Sequence, residues 1–347
     1  MSEGDPTRRV GVRDVARLAG VSSQTVSRVI NDQPNIRSET RRRVLDAMVE
    51  LDYRVNNAAR TLGTSTTRTV GVIASDATLY GPAVGIAALE SAARSVGRWI
   101  ATAYADGADE ASVRSAAGHL LAQGVDGIVV LAPHARTLEA LESAGVGVPV
   151  VALHGGAGAQ RQVEGAALPV RHLIDLGHRR IARLAGPTDW LEAVARDRGA
   201  AAELAASGLE AGPTWEGDWT AECAAALSPA IAAAVRAPGG PTAVVAANDQ
   251  MALGLIAGLR SAGVDVPGDV SIAGFDDNPD AAYYRPALTT VRVDIAGEAR
   301  RCVAEVLGLE ASAAPAAEPV LVVRASTAPP RDLSGIRSSR RIEVDNA

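Results

Sequence analysis

Apolar residues recur at helical spacing near the start of the chain. Val12, Val15, Ala16 and Ala19 fall at i, i+3, i+4 and i+7, one stripe of a short helix over 12–19. Gly20 follows as a natural stop. Ser22 is placed to cap a second helix over 23–30 that turns Val26, Val29 and Ile30 inward. Ser38 caps a third, with Glu39 in its first turn and Val44, Leu45, Met48 and Leu51 able to close a small core. Two short helices around a tight Gly-containing turn predict a helix-turn-helix.

From Thr69 the pattern changes to strand-then-helix alternation. Apolar runs at Val70 to Ala74, Ile100 to Tyr104, Val125 to Leu131 and Val148 to Leu153 alternate with helical segments 82–97, 109–123 and 136–144. A second series follows: helix 165–176, strand Ile181 to Ala185, helices 190–207 and 220–236, strand Ala243 to Ala247, helix 249–262 and strand Ser271 to Phe275. Thr289 to Asp294 then leads to a helix at 295–307 and strands within 320–325. Such runs predict parallel sheets covered on both faces. The expected class is α/β, with an all-α helix-turn-helix head and a body of two α/β subdomains. Expected boundaries are 8–55 for the head, 56–68 for a short helix and polar linker, 69–164 with 291–324 for one subdomain, 165–290 with 325–331 for the other, and a flexible tail at 332–347. The helix begun by Asn56 and ended by Gly63 is about two turns long, too short to be stable without a partner helix or DNA.

Composition narrows the class. At 347 residues and 47% hydrophobic, most of the chain can bury a core. No uncharged apolar run is long enough for a membrane span, and Met1 to Val10 has no signal-peptide core, so a cytoplasmic protein is expected. Cys223 and Cys302 are too far apart in sequence to make a metal-spacing pair. Charge is uneven: residues 1–62 carry eleven Arg against eight acids, and residues 63–347 carry twenty-three against thirty-two. A basic head on an acidic body suggests that one end meets a polyanion.

The outward face of the second helix carries Ser23, Gln24, Ser27 and Arg28. Gln can bond adenine through two contacts, Arg can bond guanine O6 and N7, and Ser is permissive. Ser22, Thr25, Asn31, Asn35 and Thr40 can add phosphate contacts. In the body, polar residues just after strands are the candidates, because ligands of open α/β sheets sit outside the carboxyl ends of strands. Asp76, Asn248 and Asp276 fit, and Arg196 and Trp219 add a guanidinium and an aromatic face suited to a sugar ring. A solvated helix face and ordinary helix caps would account for any one of these residues alone.

The string Arg13-Asp14-Val15-Ala16-Arg17-Leu18-Ala19-Gly20-Val21-Ser22-Ser23-Gln24-Thr25-Val26-Ser27-Arg28-Val29-Ile30-Asn31 resembles the DNA-binding head of the LacI/GalR family of bacterial repressors. Further segments are similar to family motifs: Leu79 to Pro82, Gly177 to Ala182, Ala185 to Pro187, Glu216 to Trp219, Ala247 to Gly254 and Gly274 to Asp277. The resemblance spans residues 10–330. It implies a body like that of periplasmic sugar-binding proteins, with Ser23, Gln24 and Arg28 as the main base readers. It also implies a hinge helix containing Asn56 and Ala59, whose Leu62 wedges into the minor groove. It places effector contacts at Asp76, Leu79, Tyr80, Gly81, Pro82, His154, Arg196, Trp219, Asn248, Phe275 and Asp276. Val55 stands where many members carry Pro, His154 where a sugar-binding member carries Asp, and Ala200 where an aromatic is frequent.

The expected protein is a dimeric repressor that binds a palindromic double-stranded operator and is released by a small sugar. The tail has no leucine heptads for a tetramer. Three alternatives stay open: a ligand that promotes DNA binding, a non-secreted sugar-binding protein, and an α/β enzyme. The last lacks a P-loop, Gly-x-Ser-x-Gly and His-Glu-x-x-His. No metal or cofactor is expected, since the five His have no ligand spacing.

Overall fold

A computed structural model describes residues 10–31, 33–54, 67–75, 78–131, 133–309 and 315–331. The chain divides into two compact units between Arg68 and Thr69. The first contains α1 (Val12–Ala19), α2 (Ser23–Ile30) and α3 (Ser38–Glu50). Gly20 takes the left-handed conformation, φ 64°, that lets the chain turn sharply after α1. Arg43 from α3 reaches back and donates to the Ala19 and Gly20 carbonyls, covering the C-terminus of α1. Val15, Val26 and Val44 are fully buried and join the three helices.

Two expectations for α3 are corrected. Its N-cap is Arg37, without a side-chain cap, and Ser38 is the first helical residue. Leu45 is 48% exposed, because Val44 and Ala47 occupy the inward stripe and Leu45 lies one helical step round from Val44.

The second unit has two lobes. The first holds a wholly parallel sheet in the order β2-β1-β3-β4, from β1 (Thr69–Ala74), β2 (Trp99–Tyr104), β3 (Gly127–Leu131) and β4 (Val150–Ala152). Its crossover helices are α4 (Tyr80–Ser95), α5 (Glu110–Ala122) and α6 (Ala135–Ser143). The second lobe repeats the plan in the order β6-β5-β7-β8, from β5 (Ile181–Ala185), β6 (Thr214–Glu216), β7 (Ala243–Ala246) and β8 (Ser271–Ala273). It carries α7 (Ala157–Asp175), α8 (Leu191–Ala206), α9 (Ala221–Arg236) and α10 (Asp249–Ser261). Each sheet is covered on both faces: Val70, Val72 and Leu89 pack on one side of the first and Ile73, Leu120 and Ile128 on the other. That burial is why these strands read as continuous apolar runs.

The chain crosses between lobes more than once. It leaves the first lobe after β4. It returns through β9 (Thr290–Arg292) to α11 (Ile295–Val306), whose Cys302, Val303 and Val306 join the first lobe's core. β10 (Val320–Val322) then pairs antiparallel with β9, and Ser326 closes back on the Ile272 carbonyl of β8.

Three features differ from the sequence reading. α7 starts at Ala157, not 165: residues 157–164, to which the apolar pattern assigns no element, are helical and held by close approaches. A Cβ on Gly165 would stand 3.1 Å from the Phe275 ring. β6 carries no apolar run and lies at the sheet edge. A 3-10 turn, Pro279–Tyr283, has no periodic signal to announce it. Among the described residues no helix is long and apolar enough to cross a membrane.

Candidate functional site

In the head, Ser22 caps α2: its Oγ accepts from the Thr25 N–H at 3.1 Å and lies 2.9 Å from the Thr25 hydroxyl. That local pairing leaves Thr25 half-buried while Ser23, Gln24, Ser27 and Arg28 stand exposed on the opposite face from buried Val26 and Val29. Asn31, at the C-cap, lies 3.4 Å from the Ser27 hydroxyl. Asn35 is exposed with φ 68°, a turn conformation that Asn tolerates, and Thr40 is half-buried in α3. α2 therefore presents one contiguous polar surface of the residue types that read base edges. Asn56, Ala59 and Leu62 lie outside the described residues, as does Asp76.

In the body, a cavity opens between the two lobes. The first lobe contributes Leu79, Gly81 and Pro82 from the start of α4, Leu131 from β3, and Leu153 and His154 beyond β4. Leu79 is buried and its side chain joins the core of the second lobe, so this wall is fixed from both sides. The second lobe contributes Trp190 and Glu192 at the start of α8, Arg196 one turn on, and Trp219, Asn248, Gln250 and Asp276 after strand ends.

Arg196 is the organising charge. Its Nε donates to Gln162 Oε1 at 2.8 Å, its Nη1 to the Ala247 carbonyl at 2.5 Å, and its Nη2 stands 3.2 Å from Asp276 Oδ1. Its guanidinium lies over the Phe275 ring, 3.9 Å from the centroid, and 5.5 Å from the Trp219 ring. Phe275 therefore supports Arg196 from behind and does not line the cavity. Burial lifts the Asp276 carboxyl to about 6, with Arg196 opposing the rise. Asp276 also has φ 113°, a conformation rare outside Gly, which aims its carboxyl at Arg196.

Trp219 is buried, with φ 74°. Its indole lies against Gly186, where any Cβ would fall 2.5 Å from ring atoms, so the Ala185-Gly186-Pro187 segment is shaped to admit it. Asn248 caps α10, its Oδ1 accepting from the Met251 N–H at 2.8 Å, and its Nδ2 donates to the Trp219 carbonyl at 3.0 Å. Its amide thus holds Trp219 in place as well as facing the cavity. Tyr80 does not line the cavity; its backbone N–H donates to Gln250 Oε1 at 3.2 Å and ties α4 to α10. Asp249 and Asp277 are held elsewhere, by Thr290 and by Arg292 and Arg324.

His154 is half-buried beyond β4 with φ 57°. Burial and the nearby Arg196 push its ring down to about 4, so it is neutral near pH 7. One side of the cavity is closed by a bridge between lobes. His134 Nδ1 lies 2.9 Å from Asp189 Oδ2, and the Leu191 N–H donates to the Pro133 carbonyl at 3.1 Å. Trp190 packs at a tilt between His134 (ring centroids 4.8 Å apart) and Trp219 (5.6 Å). Buried polar atoms without a protein partner cluster here: His154 Nδ1, Glu192 Oε2 and Trp219 Nε1. Such atoms are costly to leave unpaired and mark where a polar ligand would bond.

Sequence reasoning missed Trp190, Glu192, Gln250 and Gln162. Two signals were available. Glu192 lies four residues before Arg196 on an expected helix, hence on the same face, and Trp190 follows a strand end. Gln162 falls in residues 154–164, to which the apolar pattern assigns no element. Among the described residues no cluster of three or more His, Cys, Asp or Glu could hold a metal.

A helix-turn-helix head joined to a two-lobed α/β body with an interlobe cavity is the arrangement of a DNA-binding transcriptional regulator with a ligand-binding domain. Residues 12–56 match the bacterial regulatory proteins of the lacI family, and residues 170–327 match the periplasmic binding protein-like domain. The chain is 34% identical over 299 residues to the lactose operon repressor of Escherichia coli K12, covering 82% of this chain and 80% of that protein. It is 33% identical over 290 residues to the transcriptional repressor PurR of Vibrio parahaemolyticus, covering 81% and 86%. Among solved structures, the lac repressor dimer bound to operator and the anti-inducer ONPF superposes with TM-score 0.73 at 29% identity, covering 92% of this chain and all of that one. The regulator CelR in complex with cellobiose does so with TM-score 0.61, also at 29% identity and with the same coverage. The chain belongs to the LacI family of transcriptional repressors.

Proposed function

We propose that this repressor binds a palindromic operator as a homodimer through α2 and is released when a small sugar occupies the interlobe cavity. The observation that carries the effector half is the cavity itself. Two indole rings offer flat apolar faces, Arg196 and Asp276 form a polar pair, and three buried polar atoms lack protein partners. Sugar rings present apolar faces and hydroxyl edges that suit such a lining. The solved complex of the similar regulator CelR with cellobiose supports the same class of ligand.

On this reading Ser23, Gln24, Ser27 and Arg28 face the bases, with Ser23, Gln24 and Arg28 the main readers, while Ser22, Thr25, Asn31, Asn35 and Thr40 border the phosphates. Asn56, Ala59 and Leu62 would complete the contact in the minor groove. Dimerisation is supported by exposed apolar residues on the edge strand β2, Trp99 (62% exposed) and Tyr104 (59%), and by Tyr283 (77%) in the second lobe. The sugar acts through its different affinity for two placements of the lobes, one of which holds the heads on DNA. A repressor working on its operator acts in the cytoplasm and carries out no turnover.

The test has two parts. Thermal-shift screening of mono- and disaccharides identifies a ligand, and fluorescence anisotropy on genomic fragments identifies an operator. Salt-sensitive binding to a palindrome, weakened by the sugar, is the expected result. A sugar that tightens the complex instead establishes the corepressor reading. A saturating ligand with no effect on DNA binding removes the regulatory role of the cavity.

A further inference from the structure

We infer that Glu192 sets the charge class of the effector: the cavity accepts neutral or amine-bearing sugars and rejects their carboxylate and phosphate derivatives. The inference rests on the sugar reading above and adds to it a rule about charge.

Glu192 lies in the first turn of α8, is 8% exposed, and lines the cavity with its Oε2 unpaired. Arg196 stands four residues on, the spacing at which a helix usually pairs an acid with a base. Here that pairing is not made. The Arg196 donors go to Gln162, the Ala247 carbonyl and Asp276, and its plane is held against Phe275. Glu192 is therefore a buried acid beside a guanidinium already committed to another carboxylate.

Among the described residues the remaining lining offers no second cation. The charged and titratable groups sharing the cavity are Arg196 from the same helix, Asp276 beyond β8 and His154 beyond β4. His154 is neutral near pH 7. The α4 and α10 segments that line it contribute Leu79, Gly81, Pro82 and Gln250, none of them charged. Two carboxyl groups thus face one guanidinium. An anionic ligand would add a third acid to a poorly hydrated site, which is strongly unfavourable. An ammonium or a pair of hydroxyl donors would satisfy Oε2. The π faces of Trp190 and Trp219 favour the same sign of ligand. Burial lifts the Glu192 carboxyl to about 7, so near neutrality it can accept a hydrogen bond or donate one.

The test is calorimetric titration of the whole protein with matched sets: glucose and galactose, their 2-amino, uronic acid and 6-phosphate forms, cellobiose and lactose, a neutral purine base and an anionic pyrimidine acid. Every binder is expected to be neutral or cationic, with the acid and phosphate of a bound sugar weaker by at least about tenfold. Glu192→Gln, checked for folding by circular dichroism, is expected to lose about tenfold in affinity for the best neutral ligand and to flatten the dependence of that affinity on pH between about 6 and 8. A sugar acid bound as tightly as its parent by the unmodified protein overturns the inference without any variant. So does a Glu192→Gln protein with unchanged affinity and pH profile. If the neutral purine binds and no sugar does, the sugar reading falls and the charge rule stands. If nothing in the panel binds, both fall.

Discussion

Single residues fix the cavity by what they leave out as much as by what they supply. Gly186 is the clearest case: its missing Cβ is the space the Trp219 indole occupies. Gly186→Ala is expected to push the indole into the cavity, lower stability by about 1–3 kcal/mol and abolish sugar binding. Thermal denaturation with and without ligand measures both effects. On the head, Gln24 and Arg28 are exposed side chains rather than structural ones. Gln24→Ala should therefore leave the folding of the head unchanged while costing about 1–3 kcal/mol at the base pair it reads and relaxing specificity there. Anisotropy against a set of operators altered one base pair at a time tests this. Arg196, Trp219 and Asp276 were legible in the sequence through the resemblance to the family, since each alone has an ordinary role as a helix-face residue, a buried aromatic or a cap. Glu192 was not, because an acid in the first turn of a helix has an ordinary role near the positive helix end, and nothing local shows that Arg196 is engaged elsewhere.

Elements were legible where their pattern was long and one-sided. α1 and α2 fall where the apolar stripe and the Gly20 stop place them, and Ser22 caps α2 through its hydroxyl. The reading failed where tertiary contact overrides local preference. α7 contains Gly158, Gly165 and Pro169, all poor helix residues, yet it is one helix because it packs against Phe275, Glu298 and α8. The same close packing gives a prediction for α9 and α10. A Cβ on Gly254 of α10 would lie 1.9 Å from the Ala221 carbonyl oxygen of α9, a backbone atom with no freedom to move aside. The Gly254→Ala change gains about 1 kcal/mol in helix propensity but forces the helices apart at a cost of about 1–3 kcal/mol or more. Its midpoint of thermal unfolding should fall, whereas Ala at the solvent-facing Gly118 of α5, where a Cβ meets nothing within 4 Å, should leave it level or higher.

For the whole molecule, the buried acids predict how stability depends on pH. Burial raises Glu192 to about 7 from 4.5, Asp276 to about 6 from 3.8 and Asp249 to about 8 from 3.8. The folded chain therefore keeps protons that the unfolded chain has released, and these groups lose stability as pH rises from the unfolded values through the folded ones. His154 works in the opposite sense. Its folded value of about 4 lies below 6.5, so it lowers stability as pH falls through that interval and adds no slope above it. Between about pH 6.5 and 8 the acids act without that opposition, and the midpoint of the ligand-free protein should decline steadily across that window. Glu192→Gln and Asp249→Asn should each flatten the decline, since an amide resembles the protonated acid and has no proton to release. Calorimetric scans over the window provide the measurement. A flat profile in the unmodified protein would mean that the cavity admits enough water to ionise Glu192 freely. A neutral sugar whose hydroxyls donate to Glu192 should lower its titration point, so the ligand-bound protein should show a shallower decline than the free one.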